Sequence, residues 1–157
     1  SGGNKATYVL TFSSATNSGK VSSYTATWYA TIDGNKYNIV NFNNNNNSWN
    51  FVKCGRKNNT SVASISTGWA IVEAIDRVIV TIDAVTAASV NSTYLEVATD
   101  ADFSNIVEKV TVSIAKGDLV YAITNPVGNC YYRLTYDCAS GSSNGLVTIS
   151  KVVYTNL

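Results

Sequence analysis

Along this chain apolar and polar residues change places at every second position, in short runs that never widen into a helical stripe. The segment "RVIVTIDAV" sets Val78, Val80, Ile82 and Ala84 on one face and Ile79, Thr81 and Asp83 on the other, the period expected of a strand with one buried face. Residues 93–99, 107–114, 119–123, 129–138 and 146–154 repeat the pattern, and Val110, Val112 and Ile114 are expected to point inward. Clusters of Gly, Asn, Asp and Ser separate the runs, and the single proline, Pro126, falls in one such break, "TNPVGN". Nearer the start, 8–12 reads as a first strand. Residues 25–32 pair with 36–42 through Asp33-Gly34-Asn35, residue types that tolerate positive φ. A second hairpin is expected between 49–54 and 61–65, around a turn at 55–60. Only 71–76 has helical character, enough for one turn. Ten or eleven strands at this spacing predict an all-β fold of two packed antiparallel sheets, a β-sandwich of the jelly-roll type.

A chain of 157 residues fits one domain, 1–157, without an internal repeat. At that size roughly 70% of the unfolded surface can be buried, so a core needs neither metal nor disulfide. Charged residues make up 13% of the chain, against a usual share of ~25%, and the net charge is +1. Lys53, Arg56 and Lys57 are the one local concentration of positive charge, which argues against a nucleic-acid footprint. No apolar run approaches the ~18 residues of a membrane span, which argues against insertion as a helix. The chain contains no Met, so it is expected to be a piece of a longer parent, with residues 1–4 as linker. Three cysteines, Cys54, Cys130 and Cys138, cannot all pair within one chain. Cys130 and Cys138 are expected on one strand, ~26 Å apart when extended, beyond disulfide reach. A bond from Cys54 to either stays open beside the alternative of buried free thiols.

Histidine is absent, which removes the usual general base, the Ser/His and Cys/His dyads and most catalytic zinc sites. Carboxylates remain: Asp83, Glu96, Asp100, Asp102, Glu108 and Asp137. Of these, Glu96, Glu108 and Asp137 fall on the outward parity of their strands, where solvated carboxylates are ordinary, so no catalytic pair is expected and the chain does not read as an enzyme. Asp100 and Asp102 in "TDADFSN" have a spacing that can offer oxygens to calcium in a structural role, without the glycine and distal glutamate of an EF-hand loop. The favoured reading is a turn capped by aspartate, with Phe103 plugging the core.

Aromatics are the remaining candidates. Trp49 follows the run Asn43 to Asn47 at a loop-to-strand junction and is expected to be exposed. Trp69 lies in a connection. Trp28 alternates with Ala30 and Ile32 and fits a core position as well as a site, while Tyr29 has the opposite parity. An exposed Trp or Tyr beside Asn amides and the Arg56–Lys57 pair can stack on a sugar ring while the polar groups read its hydroxyls. Arg56 and Lys57 read equally as a solvated hairpin tip, and the asparagine run as a polar loop beside the site.

Four segments, "SWNFVKCGRKNNTSVASIST" (48–67), "IDRVIVTIDAV" (75–85), "LEVATDADFS" (95–104) and "CASGSSNGLVTISKVVY" (138–154), together resemble the β-sandwich modules appended to secreted and surface proteins of gut bacteria, described as carbohydrate-binding or galactose-binding-like. The resemblance implies a non-catalytic module of an extracellular or cell-surface parent, binding a polysaccharide through exposed aromatics and needing no cofactor. The rival reading is an adhesion or structural domain of a bacterial surface protein or a bacteriophage virion. Such a domain would show an apolar patch or an unpaired edge strand and no aromatic groove.

Overall fold

The computed structural model describes residues 4–157; of the expected linker, 1–3 lie outside the described residues. Asn4 is tied to the body of the protein, its carbonyl accepting from Asn156 Nδ2 at 2.8 Å. Among the described residues eleven strands run in the order β1 (Thr7–Leu10), β2 (Thr27–Ile32), β3 (Asn35–Val40), β4 (Val52–Cys54), β5 (Ser61–Thr67), β6 (Arg77–Val85), β7 (Val90–Ala98), β8 (Ile106–Val112), β9 (Gly117–Ala122), β10 (Tyr131–Cys138) and β11 (Val147–Thr155). They build two antiparallel sheets, one ordered β1-β11-β6-β9 with β4 also on β11, the other β2-β3-β5-β10-β7-β8.

The pairing identifies the architecture. Bending the chain back on itself between β7 and β8 brings β7 beside β8, β6 beside β9, β5 beside β10 and β4 beside β11, and all four pairs are hydrogen-bonded. Rolling that long double ribbon into a sandwich adds the β11–β6 and β10–β7 pairs, the connectivity of a jelly roll. The first three strands are additions: β1 continues the edge that β4 begins, along Val152 to Thr155 of β11, and the β2–β3 hairpin widens the other sheet. Its two-residue turn, Asp33 at φ 52° and Gly34 at φ 78°, has both central residues left-handed, the turn whose twist matches the strands it joins.

Alternation places the core between the sheets. Val78, Val80 and Ile82 of β6, Val152 and Tyr154 of β11, and Tyr132, Leu134 and Tyr136 of β10 are all buried. Ala84 breaks the expected face: the β6–β11 register shifts beside Ile149, and Ala84 turns out to solvent. Val110, Val112 and Ile114 pack against the core half-buried. Tyr37 stacks on Tyr154 at 5.8 Å, and Phe42 meets Tyr136 edge-on at 6.1 Å. Tyr121 Oη contacts Thr93 Oγ1 at 2.7 Å and donates to Tyr136 Oη at 3.1 Å, so these buried hydroxyls satisfy one another.

Two expected elements differ. The hairpin 49–54 with 61–65 does not form: β4 lies in one sheet and β5 in the other, and the 55–60 turn crosses between them. Residues 71–76 are not helical; Ile71 instead bridges to Cys130 and the segment runs on as bends. The helical turns that do occur are short 3-10 turns at Asn45–Asn47 and Ala87–Ser89.

Candidate functional site

The strongest candidate lies where β4 begins. Trp49, Phe51 and Lys53 share one parity, opposite Val52 and Cys54, which point into the core. On that outward face the Trp49 and Phe51 rings stack at 5.0 Å, 16° from parallel. Lys53 Nζ lies 4.9 Å from the Trp49 centroid and 5.7 Å from that of Phe51. Trp49 itself is half-buried. Trp49 lines an open groove of about 450 Å³ together with Phe12, Ser13, Ser14, Asn47, Ser48 and Asn50, within the ~300–1,000 Å³ of small-molecule sites. Its walls are amides and hydroxyls beside the rings of Trp49 and Phe12.

The asparagine run shapes that groove. Asn45, Asn46 and Asn47 are all left-handed, at φ 51°, 57° and 65°, a conformation that asparagine accepts far better than other residues with a Cβ. The run is clamped from beneath. Asn44, fully buried, accepts from the backbone N–H groups of Val21 (2.9 Å) and Asn47 (3.0 Å) and donates to the Gly19 carbonyl (2.9 Å). Asn43 pairs through its backbone with Lys53, at 2.9 and 3.1 Å, and its side chain accepts from the Asn45 N–H at 2.6 Å. Asn47 Oδ1 accepts from Asn17 Nδ2 at 2.9 Å. The polar loop is therefore a rigid wall in which Asn43 and Asn44 act as structure while Asn47 and Asn50 face the groove.

The other expected site residues do not gather there. Trp28 is 5% exposed, donates from Nε1 to the Phe42 carbonyl at 2.9 Å and meets Phe12 edge-on at 6.4 Å; it belongs to the core and has no face for a ligand. Trp69 is half-buried and edge-on to Tyr8 (5.7 Å) and Tyr37 (5.1 Å). Tyr29 is exposed on the outer face of the six-stranded sheet, but Lys36 Nζ sits 4.2 Å from its ring centroid. On the same face Lys109 covers Tyr94 at 4.1 Å and the Arg133 guanidinium covers Phe103 at 4.4 Å, so these rings, like that of Trp49, already carry a cation. Arg56 and Lys57 lie past the far end of β4 from Trp49, where Lys57 N–H donates to Asn144 Oδ1 at 2.7 Å and Lys57 pairs with Gly141. The sequence reading passed over Phe12, Ser13, Ser14, Ser48 and Asn50, which line the groove, and Phe51 and Lys53, which pack against Trp49. For Phe51 and Lys53 the signal was present, since both share the parity of Trp49.

The carboxylates hold structure. Glu96 is outward but 8% exposed, because Arg133 donates to its Oε1 from Nε at 3.0 Å and from Nη2 at 2.8 Å; it is not the solvated group its parity suggested. Glu108 accepts from the Thr124 and Asn125 N–H groups at 2.7 and 3.0 Å, capping the loop after β9. Asp100 accepts from Ser104 Oγ, Ser104 N–H and Asn105 N–H; those bonds, the Ser104 hydroxyl foremost, hold its carboxyl below the usual range. Both Asp100 oxygens serve this turn, Asp102 is exposed beside it, and Phe103 is buried. Among the described residues no three His, Cys, Asp or Glu side chains gather as a metal site. A larger hollow of about 490 Å³ lies between β7 and β8, lined by Ala87, Asn91, Thr111 and Ile114 among others; no aromatic side chain lines it, which makes it the weaker site for a sugar ring.

Compared with known proteins, the chain matches no family model and no curated protein.

Proposed function

We propose that this protein is a non-catalytic carbohydrate-binding module, holding one or two residues of a polysaccharide in the Trp49 groove and keeping a larger extracellular or surface parent on that substrate. The observation that carries the reading is that Trp49, stacked on Phe51, lines an open groove whose other walls are largely amides and hydroxyls. The C–H face of a pyranose stacks on an indole, and Asn47, Asn50, Ser13 and Ser14 supply donors and acceptors for neutral hydroxyls. The groove is shallow and open, suited to an internal stretch of a long chain. A single weak contact is enough for such a module, because tethering raises the local concentration of whatever it is joined to. The secreted parent and the bacterial setting rest on the sequence resemblance.

The test is affinity electrophoresis and a glycan array over plant, host and microbial polysaccharides, with Trp49→Ala beside the wild type. Binding by the wild type that falls about tenfold or more in the variant, a loss of about 1.4 kcal/mol, at nearly unchanged melting temperature, supports the reading. Equal binding by both removes Trp49 from the site.

One observation favours the rival. The edge strands β8 and β9 each have a partner on one side only, and Ile106, Val107 and Val120 are exposed on them, as a domain built for protein contacts would show. Silence across the glycan panel, with self-association or capture of a protein partner abolished by Val107→Lys and Val120→Lys, favours an adhesion or virion domain.

A further inference from the structure

We propose that the outer face of the sheet built from β1, β11, β6 and β9 is an interface between two copies of this chain, paired about a two-fold axis parallel to its strands. The register sets four apolar β-branched residues in one row straight across that sheet: Val9 opposite Val153, Val153 opposite Ile79, and Ile79 opposite Val120. All four have outward parity. Val9 and Val120, at the two ends of the row, are exposed, and Val153 and Ile79 between them are half-buried. A comparable row on the outside of the other sheet reads Tyr29, Asn38, Ser66, Arg133, Glu96 and Lys109, mostly polar, as a solvated face is. A continuous apolar stripe that reaches the surface at both ends marks a face for another surface to cover.

The next row, Lys151, Thr81 and Asp118, selects a second copy as the occupant. Its cation and its anion stand two strands apart, ~10 Å. Among the described residues the ion pairs are Arg77–Asp76 and Arg133–Glu96, so neither Lys151 nor Asp118 has an ionic partner within its own chain. Rotation about an axis between β11 and β6 lays β11 of each copy on β6 of the other, and β1 on β9, in the aligned packing of stacked sheets. Val9 then packs on the partner's Val120 and Val153 on the partner's Ile79. Lys151 comes beside the partner's Asp118, twice by symmetry, so the face complements itself in both hydrophobicity and charge. On the far side of the stripe Arg77 approaches its symmetry copy, but Asp76, 2.6 Å away, already neutralises it. The stripe spans only ~14 Å from β1 to β9, short of a standard interface of ~800 Å² per partner, which makes the dimer weak and reversible.

Sedimentation velocity of the purified chain without ligand, from about 10 µM to about 1 mM, tests this; the expected result is a reversible monomer–dimer equilibrium with a Kd on the order of 100 µM. Val9→Lys and Val120→Lys, at opposite ends of the stripe, should each weaken it about tenfold or more. Val107→Lys, on the β8 edge of the other sheet, should leave it unchanged. Lys151→Asp or Asp118→Lys alone should weaken the dimer, and the two together should restore it, because the exchange rebuilds each ion pair with its sign reversed. All five positions are exposed, so the variants keep the fold and melt near the wild-type temperature. A monomer throughout the range, a dimer sensitive to Val107→Lys but not to Val9→Lys, or a double exchange that dimerises no better than either single variant would each overturn the proposal.

Discussion

Trp28 and Trp49 lie on the two sides of one structural boundary, and Phe12 touches both environments: it meets Trp28 edge-on inside the sandwich and lines the groove that holds Trp49 outside. Inside, every feature of the indole is used, since its N–H has a carbonyl and its ring is packed. Outside, the ring is half-buried, stacked on Phe51 with Lys53 over it, and it lines an open groove. The same side chain is a piece of core in one place and part of a groove wall in the other.

The sharpest way to test how closed the inside is comes from its tyrosines. Burial holds Tyr37, Tyr132, Tyr136 and Tyr154 above the ordinary value of 10.0, and pushes Tyr121 up to about 12. A raised value means that the folded state keeps a proton which the unfolded state releases. This stabilisation is complete below pH 10 and is lost as pH rises through the folded value. For Tyr121 alone the window is pH 10 to 12, with a loss of about 1.4 kcal/mol per pH unit. The five act together, so unfolding on the alkaline side should be abrupt. Absorbance of tyrosinate should rise in one step coincident with loss of β-sheet circular dichroism; gradual ionisation of these five in a folded protein would show that the core is open.

Next in size is Trp28→Ala. Removing a packed indole with a satisfied N–H should cost about 3–5 kcal/mol, a fall of roughly 10 °C or more in melting temperature for a chain of this length. Glycan affinity of the remaining folded protein should stay near that of the wild type. This is the mirror image of the result expected for Trp49→Ala, and equal effects of the two variants on stability would erase the distinction between them.

Much of this division is readable in the sequence, because parity says which face a side chain takes. It placed Trp28 with Ala30 and Tyr29 opposite, and Val78, Val80 and Ile82 together on one face. The turn at Asp33-Gly34 was equally plain. Parity does not say which strand lies alongside, and a jelly roll pairs strands far apart in sequence: β4 goes to β11 and β5 to β10, so the neighbouring segments 49–54 and 61–65 look like a hairpin and are not one. Nor does it reveal tertiary partners. Glu96 has an outward parity and is covered only because Arg133 reaches it from the next strand. Trp49 was expected to be exposed and is half-buried, because Phe51 stacks on it and Lys53 lies over the ring, partners that the sequence alone does not reveal.

Asn44→Ala probes a residue that belongs to both regions, since it is buried like Trp28 and yet holds up the wall beside Trp49. Its loss leaves the Val21 N–H and the Gly19 carbonyl without their partner, at a cost of about 2–3 kcal/mol. It also removes the side-chain half of the clamp on Asn47 N–H, which keeps only the Asn44 carbonyl, so the left-handed run is held less firmly. Stability and glycan affinity should therefore fall together, unlike the separate losses at Trp28 and Trp49. Thermal melting and affinity electrophoresis on one preparation give both numbers. A stability loss with affinity intact would mean that Trp49 binds without the asparagine wall, whereas an affinity loss with stability intact would mean that the clamp under the loop contributes little to the fold and that the wall alone orients the ligand.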